Sequence, residues 1–172
     1  MNKKVLSETS INYGEVKLPE KLSINQDQFI KDILLQESLC QDFPFSKNWD
    51  LLNTYIKDYF NLKNDIQIAE KKTWGDIYKS KEGSFPLIQV DPQNLRDSPD
   101  FVLLYGVKIK KDSCFIRIYY DNNRQKGKAW DMPINTNTFL IFPSTLKYVV
   151  SPNISNDLNY IQTITYSTNE SD

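Results

Sequence analysis

Apolar residues recur at helical spacing in two segments near the start of the chain. In the first, Asn25 and Gln28 form a capping-box pattern, which predicts that a helix begins there. The apolar residues that follow are Phe29, Ile30, Ile33, Leu34 and Leu39. The second helix is predicted to begin near Asn48, after a break at 42–45, and its apolar stripe is Leu52, Tyr55, Ile56, Tyr59 and Phe60. We expect the stripe to pack on the domain's own sheet; a groove for a partner helix is the alternative.

The pattern changes after residue 64, where short runs rich in β-branched and aromatic residues are separated by turn residues. The predicted strands are 85–90, 101–109, 114–120, 138–142, 147–150 and 159–166, and a further short strand is predicted at 13–18. Several short strands with regular turns are typical of a β-sandwich or a jelly roll. The sequence therefore predicts a mainly β fold in which two N-terminal helices cover one face or edge of the sheet.

Composition narrows the range of functions that the chain can have. The chain has 172 residues, 40% of them hydrophobic, and a formal net charge of −1, which suits one domain over 1–172. This charge argues against a nucleic-acid partner, because phosphate neutralisation needs a basic excess. No apolar run is long enough for a membrane span or a secretory signal, so neither membrane binding nor secretion through a signal peptide is expected. Histidine is absent, which excludes an imidazole base and a histidine metal ligand.

Several groups of residues could bind a ligand or an ion, and each also has a simpler structural interpretation. Asp91, Asp97 and Asp100 could hold a hard cation, although a solvated loop is the simpler explanation. Two basic clusters near turns could attract an anionic partner: Lys108, Lys110 and Lys111, and Arg124, Lys126 and Lys128. Tyr119 and Tyr120 could stack on sugars or bases, or could be ordinary cross-strand residues. Cys40 and Cys114 are predicted to be buried, reduced thiols.

A series of motifs follows in order between Trp74 and about Thr165. They are Trp74, Gly83-Ser84-Phe85, Gln89-Val90-Asp91-Pro92, Tyr105-Gly106-Val107-Lys108-Ile109, a strand at 115–121 that ends in an acidic turn, and the run FLIFPSTLKYVVSPN at 139–153. In this order they resemble the 2-oxoglutarate/Fe(II)-dependent oxygenase family of small jelly-roll proteins, which is frequent in tailed phages. The resemblance implies a double-stranded β-helix, or jelly roll. It also implies an iron site of two His and one carboxylate, and an Arg that binds 2-oxoglutarate.

The residues at the implied site positions depart from that pattern. The metal positions are Gln89, Asp91 and Tyr148, so one ligand of three is kept, and the Arg-x-Ser positions fall on Asn159 and Ile161. The resemblance therefore predicts the fold without the iron chemistry: no catalytic residue, no metal, no cofactor, and a chain that is not an enzyme. Gln89 and Tyr148 are expected to fill the former metal pocket and to form a hydrogen bond with each other.

These observations favour a non-catalytic structural or interaction module, with residues 1–64 as a strand and helical support, 65–166 as the jelly roll and 167–172 as a tail. Lys, Ile and Asn number 18, 17 and 16, a composition typical of AT-rich genomes and compatible with a phage virion component of the neck, tail or capsid. The expected partners are other subunits of an assembly, self included, contacted through the termini and the loop 93–100, in the virion or the host cytoplasm. The alternatives are a ligand-binding module that uses the former pocket, and a 2-oxoglutarate/Fe(II)-dependent oxygenase or another metal enzyme with an unusual ligand set around Asp91.

Overall fold

The structure, a computed structural model, describes residues 9–39, 46–121 and 128–168. The helices are α1 (Gln26–Leu39) and α2 (Lys47–Asn64), and a short 3₁₀ turn spans Leu95–Asp97. The strands are β1 (Asn12–Glu15), β2 (Ile68–Tyr78), β3 (Phe101–Lys108), β4 (Phe115–Asp121), β5 (Lys128–Pro133), β6 (Thr138–Pro143), β7 (Lys147–Val150) and β8 (Asn159–Thr168). Strand β8 therefore runs two residues beyond the predicted jelly-roll boundary at 166.

The strands form two antiparallel sheets that face each other. The larger sheet has the order β1-β6-β3-β8-β2, and the smaller sheet has the order β5-β4-β7. Apart from β4 and β5, neighbouring strands in these sheets are not consecutive in sequence, because the chain crosses repeatedly from one sheet to the other. This arrangement confirms the predicted mainly β, jelly-roll fold.

Strand β3 has no polar residue before Lys108 at its end, because both of its faces are buried. Val102 and Leu104 contact the core between the two sheets, whereas Leu103, Tyr105 and Val107 contact the core under the helices. Side chains of a strand alternate between its two faces. The larger sheet lies between the helices and the smaller sheet, so neither face of β3 is exposed to solvent. The jelly-roll interior, between the two sheets, is therefore a packed core of its own.

Both helices pack on the outer face of the larger sheet, as predicted. In α2 the stripe faces this sheet: Leu52, Ile56 and Phe60 are buried there, and Tyr55 and Tyr59 pack against the same core. In α1 the same role falls to Phe29 and Ile33, whereas Leu34 and Leu39 remain exposed. The capping interaction at Asn25 is present, because its Oδ1 accepts a hydrogen bond from the Gln28 backbone N–H at 3.0 Å.

The predicted strand at 85–90 is not formed. We call residues 84–90 the edge segment, because they run beside β7 with a single bridge between Leu87 and Tyr148. Pro86 has no N–H to donate, and the Ser84 hydroxyl takes the place of a backbone acceptor for the Val150 N–H at 2.8 Å. Just before the segment, a Cβ on Gly83 would lie 2.7 Å from the Val150 carbonyl oxygen. Only glycine allows this close approach of the two backbones.

Two further expectations concern cysteine and the membrane. Cys114 is buried with a free thiol, as expected, and Cys40 lies outside the described residues. The helices that the structure describes are too short or too polar to span a bilayer.

Candidate functional site

Tyr148 on β7 is the centre of the site that the sequence predicts. It lies opposite Ile118 of β4, and both residues belong to the core between the sheets. Its backbone N–H and carbonyl are both bonded to Leu87 of the edge segment, at 2.9 and 2.8 Å. The phenol ring is only 1% exposed and lies edge-on to Phe142, with 5.2 Å between the ring centroids. Tyr148 therefore projects into the jelly roll and not into solvent.

Gln89 meets Tyr148 from the edge segment, as the sequence predicts. The Gln89 Nε2 group donates a hydrogen bond to the Tyr148 hydroxyl oxygen at 3.0 Å. Burial raises the pKa of Tyr148 to about 12, although the hydrogen bond from Gln89 acts in the opposite direction. The phenol is therefore protonated at neutral pH, and it is a poor metal ligand in that form.

Asp91, the retained carboxylate, is exposed and belongs to a turn. Its Oδ1 accepts a hydrogen bond from the Gln93 backbone N–H at 2.9 Å, and its own N–H donates to the Ser98 hydroxyl at 2.8 Å. These contacts close the turn locally. Among the residues that the structure describes, no group of three or more His, Cys, Asp and Glu side chains is placed to hold a metal ion.

The two positions that correspond to the family's co-substrate residues stabilise the fold in this chain. Asn159 is fully buried, and its amide nitrogen donates to the Ser113 hydroxyl at 2.8 Å and to the Cys114 sulfur at 3.6 Å. Its amide oxygen accepts from the Lys110 backbone N–H at 3.0 Å. Ile161 is fully buried in the core between the sheets. Neither side chain offers the cationic fork that recognises a carboxylate in two-pronged fashion.

Sequence reasoning missed one titratable group on this face, Asp76 of β2. It lies opposite Ile161 in the β2–β8 register, and its Oδ2 accepts hydrogen bonds from the Trp74 indole at 3.1 Å and the Thr163 hydroxyl at 3.3 Å. Burial raises the pKa of this half-buried carboxyl, and its negative charge also helps to raise the pKa of Tyr148. The spacing Trp74-x-Asp76 could have indicated this position, because alternate residues of a strand lie on the same face of the sheet.

The side chains at the five positions do not fit Fe(II) and 2-oxoglutarate. Gln89 and Tyr148 are bonded to each other, Asp91 closes a turn, and Asn159 is fixed in the core. The Asp76 carboxylate also faces the interior beside them, and a negative charge there repels a dicarboxylate. At the positions that correspond to the iron and co-substrate residues, Gln89, Tyr148, Asp91 and Asn159 are therefore engaged in hydrogen bonds within the fold, and Ile161 is engaged in apolar packing.

The acidic loop has a structural explanation for each carboxylate. Asp97 accepts a hydrogen bond from the Asn94 amide at 2.8 Å. Asp100 accepts from both the backbone N–H and the hydroxyl of Thr168, at 2.7 and 2.9 Å. With Asp91 in its own turn, the three carboxylates stabilise the loop separately, so the cation alternative finds no support here.

The loop 93–100, predicted to be a contact surface, is tied to the larger sheet at one end and exposed at its tip. The Asp100 N–H donates to the Tyr166 carbonyl of β8 at 2.8 Å, and the Ser98 hydroxyl donates to the Asn94 carbonyl at 3.0 Å. Leu95, at the tip, is 68% exposed. The termini were predicted to be the other contact elements. Residues 167 and 168 of the predicted tail 167–172 belong to β8, and residues 1–8 and 169–172 lie outside the described residues.

The basic clusters lie on the surface. Lys108 and Lys110 form exposed ion pairs with Asp27 and Asp157, each at 3.3 Å, beside an open groove of about 960 Å³. In the second cluster Lys128 is an exposed residue of β5, and Arg124 and Lys126 lie outside the described residues. Tyr119 is half-buried and Tyr120 is exposed. Ion pairs at such exposed positions are weak, and they leave the first cluster with little excess charge for an anionic partner.

Comparison with known proteins agrees with this architecture. No protein-family model and no curated protein matches the sequence. Among solved structures, a prolyl-4-hydroxylase from Pseudomonas putida matches with a TM-score of 0.66 at 10% identity, over 95% of this chain and 90% of that one. AviO1 from Streptomyces viridochromogenes Tue57 matches with a TM-score of 0.65 at 10% identity, over 95% and 92%. A viral collagen prolyl hydroxylase from Paramecium Bursaria Chlorella virus-1, solved with 2OG, matches with a TM-score of 0.63 at 12% identity, over 91% and 94%.

These matches confirm that the chain resembles the 2-oxoglutarate/Fe(II)-dependent oxygenases, and at such low identity they establish the fold. They also correct one expectation. The prediction that the chain is not an enzyme is wrong, because the solved structures that share its fold over nearly their whole length are those of enzymes. The physical reason is that loss of the His ligands concerns one kind of iron chemistry at Gln89, Asp91 and Tyr148. It says nothing about other chemistry that a jelly roll can support.

Proposed function

We propose that this oxygenase-like chain is an interaction module that works within a protein assembly and makes contact through the edge segment. The observation that carries the proposal is Phe85, which is 89% exposed. Its backbone is held in place on both sides, by the Ser84 N–H bonded to the Val150 carbonyl at 3.0 Å and by the paired Leu87. A large aromatic side chain on a fixed backbone loses little entropy when a partner covers it.

Two further observations support this surface. Ile88, three residues along the edge segment, is 51% exposed, and Leu95 is exposed on the loop that follows. Exposed apolar residues are common singly, but several of them on one connected stretch are typical of an interaction site. The net charge of −1 means that copies of the chain repel one another only weakly, so a second copy is the occupant that we propose for this surface.

The assembly that we propose is a tailed-phage particle, in which the chain would be a neck, tail or capsid accessory component. Support comes from the composition, because Lys, Asn and Ile, encoded by AT-rich codons, outnumber the three Arg by far. Jelly rolls recur as building blocks of viral particles. In this proposal the rigid jelly roll is a support, and the edge segment is the contact that joins one copy to the next.

Sedimentation equilibrium tests the contact. The wild-type chain is expected to form a discrete oligomer of its 20.1 kDa subunit, and Phe85→Ser is expected to shift it toward the monomer. Burying a Phe side chain contributes about 1.5–3 kcal/mol, or roughly a ten- to hundredfold change in dissociation constant. Leu62→Ser is the matched control, because Leu62 is 86% exposed on α2, away from the edge segment. A wild-type chain that remains a monomer at every concentration contradicts the proposal.

The ligand-binding alternative has a specific observation in its favour, the Asp76 carboxylate beside the half-buried Trp74. A carboxylate with an aromatic ring suits a cationic ligand and disfavours a dicarboxylate. Indole fluorescence of wild type and Trp74→Phe during titration with tetramethylammonium and with 2-oxoglutarate tests it. Quenching by the ammonium alone, lost in Trp74→Phe, supports this function; the absence of a response to the ammonium contradicts it.

A further inference from the structure

The Gln89–Tyr148 contact joins the same two parts of the chain that a metal would join in a site of two His and one carboxylate. One part is the edge segment with the turn that follows it, which carries Gln89 and Asp91. The other part is β7, which carries Tyr148. An ion bound by side chains from both parts would cross-link them. In this chain the cross-link is a direct hydrogen bond of 3.0 Å between the two side chains.

We infer that Gln89 and Tyr148 form a metal-independent clasp that fastens the edge segment to β7, and that these positions do not bind Fe(II). This inference goes beyond the proposed function and does not depend on it. It rests on where the side chains lie and on which of their polar atoms are already bonded.

The clasp fills a gap in the backbone pairing. Within the edge segment, all of which the structure describes, only Leu87 pairs with β7 through both of its backbone groups. The next backbone hydrogen bond along the segment, from the Gln89 N–H to the Ser144 carbonyl, is long at 3.4 Å. The side chain of Gln89 adds a shorter hydrogen bond, of 3.0 Å, to the Tyr148 hydroxyl. Since Tyr148 is buried against Phe142, the phenol is a rigid anchor for that bond. The clasp therefore holds the residues just before Asp91 against the smaller sheet.

The side chains that would have to act as ligands give a second reason why these positions do not bind Fe(II). A divalent ion at this place would need the Gln89 amide to turn its oxygen inward and would need Tyr148 to lose its proton. Asp91 is already engaged through Oδ1, which accepts from the Gln93 N–H in the turn. Turning the Gln89 amide breaks the hydrogen bond of 3.0 Å to Tyr148 that the structure shows, and none of the three resulting ligands is an imidazole. The folded chain thus favours the clasp over the ion.

The first experiment measures metal binding by the full chain. The wild-type protein is mixed anaerobically with Fe(II), and separately with Co(II) and Ni(II), passed through a desalting column, and analysed for metal content and melting temperature. We expect well below one equivalent of metal, and a change in melting temperature of less than about 1 °C, because an ion that binds only the folded state must stabilise it. One equivalent of metal that is lost in Tyr148→Phe overturns the inference.

The second experiment restores the ligands. The variant Gln89→His/Tyr148→His, with Asp91 unchanged, presents two His and one carboxylate at the same positions. We expect it to take up about one equivalent of Co(II), seen by its visible absorption, and to melt at a higher temperature with the metal than without it. The control is the same variant with Asp91→Ala, which should lose the metal. A folded double variant, checked by circular dichroism, that takes up no Co(II) shows that the clasp does not stand at a metal position and overturns the inference.

Discussion

Replacing Gln89 by Ala removes the donor of the Gln89–Tyr148 hydrogen bond and leaves the Tyr148 hydroxyl buried. Tyr148 is 1% exposed, so water does not easily replace the lost partner, and leaving a buried polar group unsatisfied costs about 1–3 kcal/mol. Replacing Tyr148 by Phe removes the hydroxyl, and the half-buried Gln89 amide can then turn toward solvent, so we expect a smaller cost of about 0.5–1.5 kcal/mol. The double variant should cost less than the sum of the two, with a coupling of roughly 1 kcal/mol.

Urea denaturation of the four proteins at pH 7 measures this coupling. The slope of the unfolding free energy against urea should stay constant across the cycle, so that midpoint shifts report stability alone. Each 1 kcal/mol should correspond to about 2–4 °C in melting temperature for a domain of this size. If the two single changes are additive within about 0.3 kcal/mol, the hydrogen bond contributes nothing and the reasoning about the clasp is refuted.

Three further predictions concern the sheet and the helices. Because burial raises the pKa of Asp76, the ionised form of this carboxyl disfavours folding. Asp76→Asn should therefore stabilise the chain at pH 7, and this gain should disappear as the pH falls below the ordinary Asp pKa of 3.8. A pH profile of stability identical to that of the wild type would contradict this prediction. Gly75→Ala should cost about 1–3 kcal/mol, because its Cβ would lie 2.2 Å from Ile33 Cγ2, and Ile33→Ala should rescue part of that loss in a thermal melt. Ser46→Ala should cost about 1 kcal/mol in the same assay, because the Ser46 hydroxyl caps α2 by accepting from the Trp49 N–H at 3.1 Å, and an unchanged melting temperature would argue against the cap.

The elements that sequence reasoning predicted well are those with a strong local pattern. The α2 stripe and the strand at 147–150 agree with the structure, because each has a continuous apolar face and a clear break at both ends. Strand β5 (Lys128–Pro133) was missed because it is an edge strand with no β-branched residue. The edge segment was predicted as a strand from its apolar residues, although Pro86 removes the backbone donor that a ladder needs.

The candidate site was predictable in part. The resemblance placed Gln89 and Tyr148 in one pocket, and from there an amide and a phenol in contact predict a hydrogen bond. Asp76 could not be found in this way, because its environment depends on Thr163 of β8, 87 positions away in sequence. The prediction of no enzyme was too broad, since it extended the loss of one ligand set to every reaction that the fold can support.

The most direct test of self-association and of the absence of iron binding is a native mass spectrum of the wild-type chain, recorded alone and then with Fe(II) and 2-oxoglutarate. The account predicts a discrete multiple of 20.1 kDa in both spectra and no stoichiometric iron adduct. A 20.1 kDa monomer that gains one iron and one 2-oxoglutarate would contradict both the proposed contact through Phe85 and the clasp between Gln89 and Tyr148.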